Sequence, residues 1–126
     1  MVGMSRLPRI AIIDDEESIR RALLRIFRQS EIEAEAFDSA AAFLDTIDDH
    51  PPDCIVLDLK MPGITGFGLL RELVQYDSPP PVIVLSALDD DRTRDTCEAL
   101  GSRFVLRKPV DQQTLMDCVR RVLDRP

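Results

Sequence analysis

The sequence is poor in the residues that build disulfide frameworks, metal-binding cysteine clusters and membrane anchors. It has no tryptophan, one histidine and three cysteines among its 126 residues. Cys54, Cys97 and Cys118 lie far apart and show neither CxxC nor zinc-ligand spacing, so we expect buried free thiols. No apolar run approaches the roughly 20 residues of a membrane span, and residues 1–8 show no pattern of a secretory signal. These absences predict a cytoplasmic protein without membrane contact.

Positive charge is also scarce. Sixteen lysines and arginines stand against 23 aspartates and glutamates, and the formal net charge of −7 argues against direct nucleic-acid binding by this chain. Only Lys60 and Lys108 are lysines, a bias that a genomic preference for arginine would explain. A compact ammonium and a planar guanidinium are nevertheless not interchangeable in a tight site, so a lysine in this background is a candidate functional residue.

What the sequence does contain is a regular alternation of short apolar runs and amphipathic segments. The predicted strands cover residues 9–13, 31–37, 54–57, 82–85 and 104–106. Four of them are apolar runs typical of buried strands, whereas residues 31–37 alternate weakly between polar and apolar side chains. Each predicted strand is followed by a segment with apolar residues at helical spacing. The fourth of these, residues 89–100, has the thinnest stripe, formed by Cys97, Ala99 and Leu100.

This alternation predicts the fold class. Strands that alternate with helices form a doubly wound parallel sheet covered on both faces, a three-layer α/β architecture. Right-handed crossovers restrict it to a few strand orders. The length is that of one domain, which we place at residues 9–125 after an N-terminal tail of residues 1–8.

Polar side chains stand where the predicted strands end. Asp14 and Asp15 follow the first predicted strand, Asp58 the third and Ser86 the fourth, while Lys108 lies just beyond the fifth. In doubly wound sheets the carboxyl ends of the strands converge on one rim, where ligands bind. The sequence therefore predicts three carboxylates, one hydroxyl and one ammonium around a single crevice.

This combination suits phosphoryl transfer to a carboxylate. Three neighbouring carboxylates cannot all stay ionised without compensation, and a hard divalent cation such as Mg²⁺ prefers their oxygens. A nucleophile, a metal, a fixed cation and a hydroxyl are the parts that phosphoryl transfer needs. The single histidine, His50, lies in a loop away from the strand ends. An ionised carboxylate needs no base, so Asp58 can attack phosphorus directly.

Four motifs, each at a strand end, carry a resemblance to a known family. They are Ile13-Asp14-Asp15-Glu16, Leu57-Asp58-Leu59-Lys60-Met61-Pro62-Gly63, Val84-Leu85-Ser86-Ala87 and Lys108-Pro109. In this order the chain resembles the receiver domain of two-component response regulators, over nearly everything from residue 9 to residue 123. The resemblance implies the strand order 2-1-3-4-5 and a cis peptide between Lys108 and Pro109.

The resemblance also implies a role for each site residue. Asp58 would accept a phosphoryl group from the phosphohistidine of a sensor histidine kinase or a phosphotransfer protein. Asp14, Asp15 and Asp58 would hold Mg²⁺ or Mn²⁺ together with the backbone carbonyl of Lys60. Ser86 would bind a phosphoryl oxygen, and Lys108 would pair with the phosphate. The chain would be a signalling phosphoacceptor that assists its own phosphorylation and dephosphorylation, and not an enzyme with turnover.

The chain departs from the family pattern at the switch. Family members couple Ser86 to an aromatic side chain on the fifth strand, and here that position is Val105. Phe104 should face the opposite side of the sheet by strand alternation. We therefore expect a muted switch, or one led by backbone movement of residues 88–94. Lys60 and Leu88 occupy positions that tune the lifetime of the aspartyl phosphate in the family.

The residues present argue against three alternatives to a receiver domain. A phosphohydrolase with an aspartyl nucleophile would carry a second acid two residues later, where this chain has Lys60. A pseudo-receiver would lack the acidic pair, the nucleophile or the lysine. A flavin-binding module would need a loop rich in serine, threonine and glycine after the first strand. Two alternatives remain for the output, a further domain of the protein or a separate partner. Met116 and Leu123 either extend the core stripe of the last helix or belong to a homodimer or effector contact through the fourth and fifth helices.

Overall fold

The computed structural model describes residues 7–61, 63–87 and 90–124, and its core is a parallel sheet of five strands. Strands β1 to β5 span Arg9–Ile13, Glu33–Phe37, Cys54–Asp58, Val82–Ser86 and Phe104–Arg107. Helices α1 to α5 span Glu17–Gln29, Ala40–Ile47, Gly66–Leu73, Asp91–Ala99 and Gln112–Leu123. The strand order is β2-β1-β3-β4-β5, so the predicted fold class is confirmed.

The central strands of the sheet, β1, β3 and β4, are buried on both faces, as their continuous apolar runs predict. One cluster packs α2, α3 and Cys97 of α4 against one face, and a second packs α1 and α5 against the other. Every residue of β3 and β4 is buried. Cys54, Cys97 and Cys118 are buried free thiols, as expected.

Strand β2 begins at Glu33, two residues later than the apolar alternation predicts. The chain first leaves α1 through a turn in which Glu31 takes a left-handed backbone conformation with φ of 59°. The Ile32 N–H donates to the carbonyl of Phe27 at 2.9 Å, which closes the helix end. Residues 31 and 32 belong to this helix-terminating turn, although Ile32 still packs in the core.

The helices of the second half differ from the predicted pattern in which residues they bury. Helix α4 buries Thr93 and Cys97, whereas Ala99 is exposed, so the stripe of Cys97, Ala99 and Leu100 was wrong in part. The predicted start at residue 89 lies outside the described residues, and Asp90 caps the helix by accepting from the Thr93 N–H. On α5, Met116 is buried in the core and is not part of an outer face. Of the two residues considered for a docking patch, only Leu123 is partly exposed.

Candidate functional site

The carboxyl edge of the sheet brings the acidic residues together. Asp58 is the last residue of β3, and the β1–β3 register places Ile13 opposite Leu57, so Asp14 and Asp58 leave neighbouring strands side by side. Asp14, Asp15 and Asp58 each offer a carboxylate oxygen, and these oxygens all lie within 4.8 Å of one another. Asp14 and Asp58 are buried and Asp15 is exposed. The predicted convergence of the three carboxylates is present in the structure.

Lys108 bridges the two buried carboxylates. Its Nζ lies 3.2 Å from Asp14 Oδ2 and 3.2 Å from Asp58 Oδ1, with Glu16 Oε1 further away at 4.0 Å. Burial alone would lower the pKa of Lys108, but the charges of Asp14 and Asp58 and the hydrogen bonds to them outweigh it, so the pKa is raised. Lys108 is therefore a fixed positive charge in the middle of the site.

Asp58 is left short of compensation. Burial, followed by the charge of Asp14, raises its pKa, while Lys108 and the Lys60 N–H, 3.4 Å from Asp58 Oδ1, act in the opposite direction. The net direction is upward, because one ammonium serves two buried carboxylates. A cluster of this kind gains from a further cation with oxygen affinity, so the donor set fits a hard divalent metal.

Ser86 lies across the site on the neighbouring strand. It is the last residue of β4 and is buried, and its carbonyl accepts a hydrogen bond from the Lys108 N–H at 2.8 Å. The β3–β4 register places Asp58 opposite Leu85, one residue before Ser86. The peptide between Lys108 and Pro109 is cis, as the resemblance implies. The ends of β3, β4 and β5 thus meet at one point.

A cavity of about 840 Å³ opens over these strand ends. Its wall includes Asp15, Glu16, Asp58, Leu59, Lys60, Met61, Thr65, Phe67, Ser86, Ala87 and Lys108. The side chain of Lys60 is exposed, whereas Leu59 and Met61 on either side of it are buried. Sequence reasoning had not identified Phe67 or Thr65 as part of the site, because both follow the loop after β3 and carry no charge.

The start of α3 lies directly against the end of β3. Thr65 caps α3 by accepting from the Gly68 N–H, and the Gly66 N–H donates to the carbonyl of Leu59 at 3.0 Å. A Cβ on Gly66 would lie 2.5 Å from Leu59 Cα and 2.7 Å from the Asp58 carbonyl oxygen. Only glycine permits this approach, so Gly66 shapes the site although the sequence pattern does not single it out.

A network of contacts around Asp14 was also not predicted. The Asp14 N–H donates to the carbonyl of Phe37 at 3.1 Å, and Asp14 Oδ1 accepts from the Glu16 N–H at 2.9 Å. The Asp14 carbonyl accepts from Arg20 Nη1 at 2.9 Å. Arginine at the start of a helix usually faces solvent, so the sequence carries little signal for this contact.

On β5, Val105 and Phe104 lie on opposite sides of the sheet, as alternation predicts. Val105 is buried in the cluster under α2, α3 and α4, and Phe104 packs against the cluster under α1 and α5. The Val105 carbonyl accepts a hydrogen bond from Arg94 Nη1 of α4 at 3.1 Å. Leu88, the residue with an expected effect on phosphate lifetime, lies outside the described residues.

His50 lies at the other edge of the sheet. Its carbonyl accepts from Arg9 Nη1 at 2.7 Å, at the amino end of β1, and the adjoining Asp53 bonds the Arg9 N–H. Since the sequence has no second histidine, no imidazole stands at the acidic cluster. This agrees with a carboxylate nucleophile that needs no base.

Comparison with known proteins decides the family. The family model for the response regulator receiver domain matches residues 10–120. The chain belongs to this family. Receiver domains are signalling phosphoacceptors and not conventional enzymes, and they work with histidine kinases or phosphotransfer proteins and with output domains.

Individual relatives support the assignment. The transcriptional regulatory protein FixJ of Azorhizobium caulinodans is 34% identical over 116 residues, which cover 92% of this chain. The receiver protein from Burkholderia phymatum is 36% identical and superposes with a TM-score of 0.81, covering 94% of this chain and 97% of that one. The receiver domain of Francisella response regulator 1452 is 29% identical with a TM-score of 0.89, covering 94% of this chain and 98% of that one.

The match to curated relatives covers only part of them. The chain spans 55% of the length of FixJ and 50% of that of the transcriptional regulatory protein TdiR of Thauera aromatica. Within the described part of the chain, none of the helices has the length and apolar character that a bilayer crossing requires.

Proposed function

We propose that Asp58 of this receiver domain accepts a phosphoryl group from a sensor histidine kinase or a phosphotransfer protein. The observation that carries the proposal is the position of Lys108 Nζ, 3.2 Å from the carboxylates of both Asp14 and Asp58, in a cluster completed by Asp15. This is a fixed cation beside a buried nucleophile, and the pair of Asp14 and Asp15 adds carboxylates for a metal. Phosphoryl transfer is catalysed mainly by such positioning and charge.

The chemistry at Asp58 is a displacement at phosphorus. A carboxylate oxygen attacks the phosphorus of the donor phosphohistidine, the phosphorus–nitrogen bond breaks, and the leaving imidazole takes up a proton. The product is an aspartyl phosphate, whose phosphoryl group carries about 1.5 to 2 negative charges in place of the single charge of the carboxylate. Lys108 pairs with the new phosphate, and the hydroxyl of Ser86 binds one of its oxygens. The same residues assist the later loss of the group to water.

The acidic cluster supports a metal site. Asp14, Asp15, Asp58 and the backbone carbonyl of Lys60 would hold Mg²⁺ or Mn²⁺. Bound there, the ion would supply positive charge to the carboxylates and to the incoming phosphoryl oxygens.

The consequence of phosphorylation is a change of conformation that an output domain or partner protein detects. Ser86 and Val105 are the switch positions, and Val105 offers no ring to rotate. The change of conformation therefore passes from Ser86 along the main chain to α4. There it alters a homodimer or effector contact formed by α4 and α5. Such a regulator works in the cytoplasm and leaves direct nucleic-acid binding to another part of the system.

The test is incubation with acetyl phosphate and Mg²⁺, followed by intact mass spectrometry. The wild type should gain one phosphoryl group, and Asp58→Asn should gain none. Asp45→Asn changes an exposed aspartate of α2 in the same way and should be phosphorylated like the wild type. Chelation of the metal should abolish the gain in the wild type and in Asp45→Asn.

The opposite result is equally clear. A wild-type protein that takes no phosphoryl group from acetyl phosphate, phosphoramidate or a phosphorylated histidine kinase would leave a domain that only binds partners. Equal phosphorylation of wild type and Asp58→Asn would move the acceptor to another residue.

A further inference from the structure

The peptide that joins Asp14 to Asp15 is held by a residue outside the proposed phosphoacceptor machinery. Arg20, near the start of α1, donates from Nη1 to the Asp14 carbonyl oxygen at 2.9 Å. The paired register of β1 ends at Ile13 on both sides, so the sheet itself does not hold this carbonyl. A hydrogen bond to a carbonyl oxygen restrains the plane of its peptide, which here is the link between the two acids.

The two acids depend on this peptide to different degrees. The Asp14 side chain has its own anchors, since Oδ1 accepts from the Glu16 N–H and Oδ2 from Lys108. The Asp15 carboxylate is exposed, and no hydrogen bond or ion pair to another described residue holds it. The direction in which Asp15 leaves the chain is therefore set by its backbone, and the Arg20 contact restrains that backbone.

We infer that Arg20 is a positioning residue for the metal site, which orients Asp15 toward Asp14 and Asp58 by clamping the Asp14 carbonyl. The inference rests on the proposed function, because it assumes that these carboxylates bind Mg²⁺. Groups that orient metal ligands from outside the ligand set typically change affinity by about 10- to 100-fold when they are removed.

Charge and position act in opposite directions at Arg20, and this makes the inference testable. A guanidinium close to a cation site repels the cation, so its charge alone weakens Mg²⁺ binding. The clamp strengthens Mg²⁺ binding by fixing a ligand. Removal of Arg20 therefore tightens binding if only the charge matters and weakens binding if the clamp matters.

The experiment measures the Mg²⁺ dissociation constant of the full chain by isothermal titration calorimetry. We expect Arg20→Met to weaken Mg²⁺ binding by about tenfold, at the lower end of the range for such groups. The matched control is Arg21→Met, which removes the same charge from an exposed neighbour without a hydrogen bond to any described residue. Its affinity should stay equal to or slightly above that of the wild type.

A second measurement separates positioning from folding. With acetyl phosphate as donor, Arg20→Met should need a higher Mg²⁺ concentration for its half-maximal phosphorylation rate, with little change in the rate at saturating Mg²⁺. If Arg20→Met does not fold, Arg20→Lys keeps the charge without the guanidinium fork and should weaken binding in the same direction.

Three results would overturn the inference. Tighter Mg²⁺ binding by the variant would leave Arg20 as a charge only, and unchanged affinity with a lower melting temperature would leave it as a structural residue. A wild type that neither binds Mg²⁺ nor becomes phosphorylated would overturn the proposed function itself, before the variant is considered.

Discussion

Asp58 is held in a balance of opposing neighbours. Burial and the charge of Asp14 raise its pKa, while Lys108 and the Lys60 N–H lower it. The raising effects are larger, so the pKa of Asp58 lies above its usual value. A nucleophilic carboxylate must nevertheless be ionised, so this site keeps a charge where folding would favour a neutral group. Reactive sites commonly hold such groups at a cost in stability.

This balance predicts that Asp58→Asn stabilises the metal-free protein near neutral pH. Because the folded-state pKa of Asp58 lies above the unfolded value, the wild type loses stability as the pH rises through that interval. Asparagine removes this loss, so its melting temperature should be a few degrees higher, since about 1 kcal/mol corresponds to roughly 3 to 6 °C at this size. The gain should vanish as the pH falls below about 4, where Asp58 is protonated in both states. Thermal melts by circular dichroism in EDTA measure the effect.

Asp45→Asn is the control for this substitution, since Asp45 is exposed on α2. It should leave the melting temperature unchanged. Added Mg²⁺ should raise the melting temperature of the wild type more than that of Asp58→Asn, because a ligand stabilises the state that binds it. A variant that melts at or below the wild type at neutral pH would show that the Lys108 contact outweighs burial.

At the level of single residues, the sequence reveals those that follow a topological rule. Asp14, Asp58 and Lys108 could be found because each ends or follows an apolar run, and parallel strands bring such positions to one edge. Arg20 and Gly66 could not be found this way. Arg20 contacts a carbonyl six residues away through a loop whose course the pattern does not specify, and Gly66 matters because of the close approach of α3 to β3.

Among the secondary-structure elements, the start of α3 is the one fitted most closely to the site. The Gly66 N–H bonds the Leu59 carbonyl, and the space for a Cβ is already filled by the backbone of residues 58 and 59. We expect Gly66→Ala to destabilise the protein by about 1 to 3 kcal/mol, the usual range for overpacking against atoms that cannot move. Chemical denaturation gives this value. Acetyl phosphate should also phosphorylate the folded variant more slowly, because the added Cβ pushes against the backbone of residues 58 and 59 and so displaces Asp58.

Gly68→Ala provides the comparison within the same helix. Its Cβ would lie 3.1 Å from Ile64 Cγ2, a methyl group of an exposed side chain that has to give way by only a few tenths of an ångström. Alanine also favours the helix by up to about 1 kcal/mol over glycine. This variant should be as stable as the wild type or slightly more so. Equal effects at both glycines would mean that the contact with β3 is not what requires Gly66.

The bounds of the elements show where pattern reasoning stops. The alternation that suggested a strand from residue 31 is real, but Glu31 adopts a left-handed conformation that is uncommon outside glycine, asparagine and aspartate. The sequence gives no warning of it. Met116 lies beside the helix stripe in the pattern, yet it is buried in the core cluster that α1 and α5 form with the sheet. A helix-terminating turn decided the first case, and tertiary packing decided the second.

On the scale of the whole molecule, the contacts on the two sides of Asp58 differ. β4 and β5 lie on one side of Asp58, and β1 and β2 on the other. On the β5 side, Ser86 connects the site to β5, because its carbonyl accepts a hydrogen bond from the Lys108 N–H. On the β2 side, Arg9 stabilises the amino end of β1, because its N–H donates to Asp53 Oδ2 and its Nη1 donates to the carbonyl of His50. Helix α4 buries only the small side chains of Thr93 and Cys97, and the Arg94 contact to Val105 adds to them.

This asymmetry predicts where a phosphoryl mimic acts. With beryllofluoride and Mg²⁺, amide hydrogen exchange should change in α4 and β5 and stay nearly constant in β2, because few buried contacts make local opening of α4 cheap. Arg94→Met should raise exchange in α4 before beryllofluoride is added and so reduce the change on addition, whereas Arg92→Met, on the exposed side of the same helix, should not. Asp58→Asn should show no change with the mimic. Constant exchange in α4 and β5 of the wild type would mean that phosphorylation of Asp58 changes the conformation of another part of the domain.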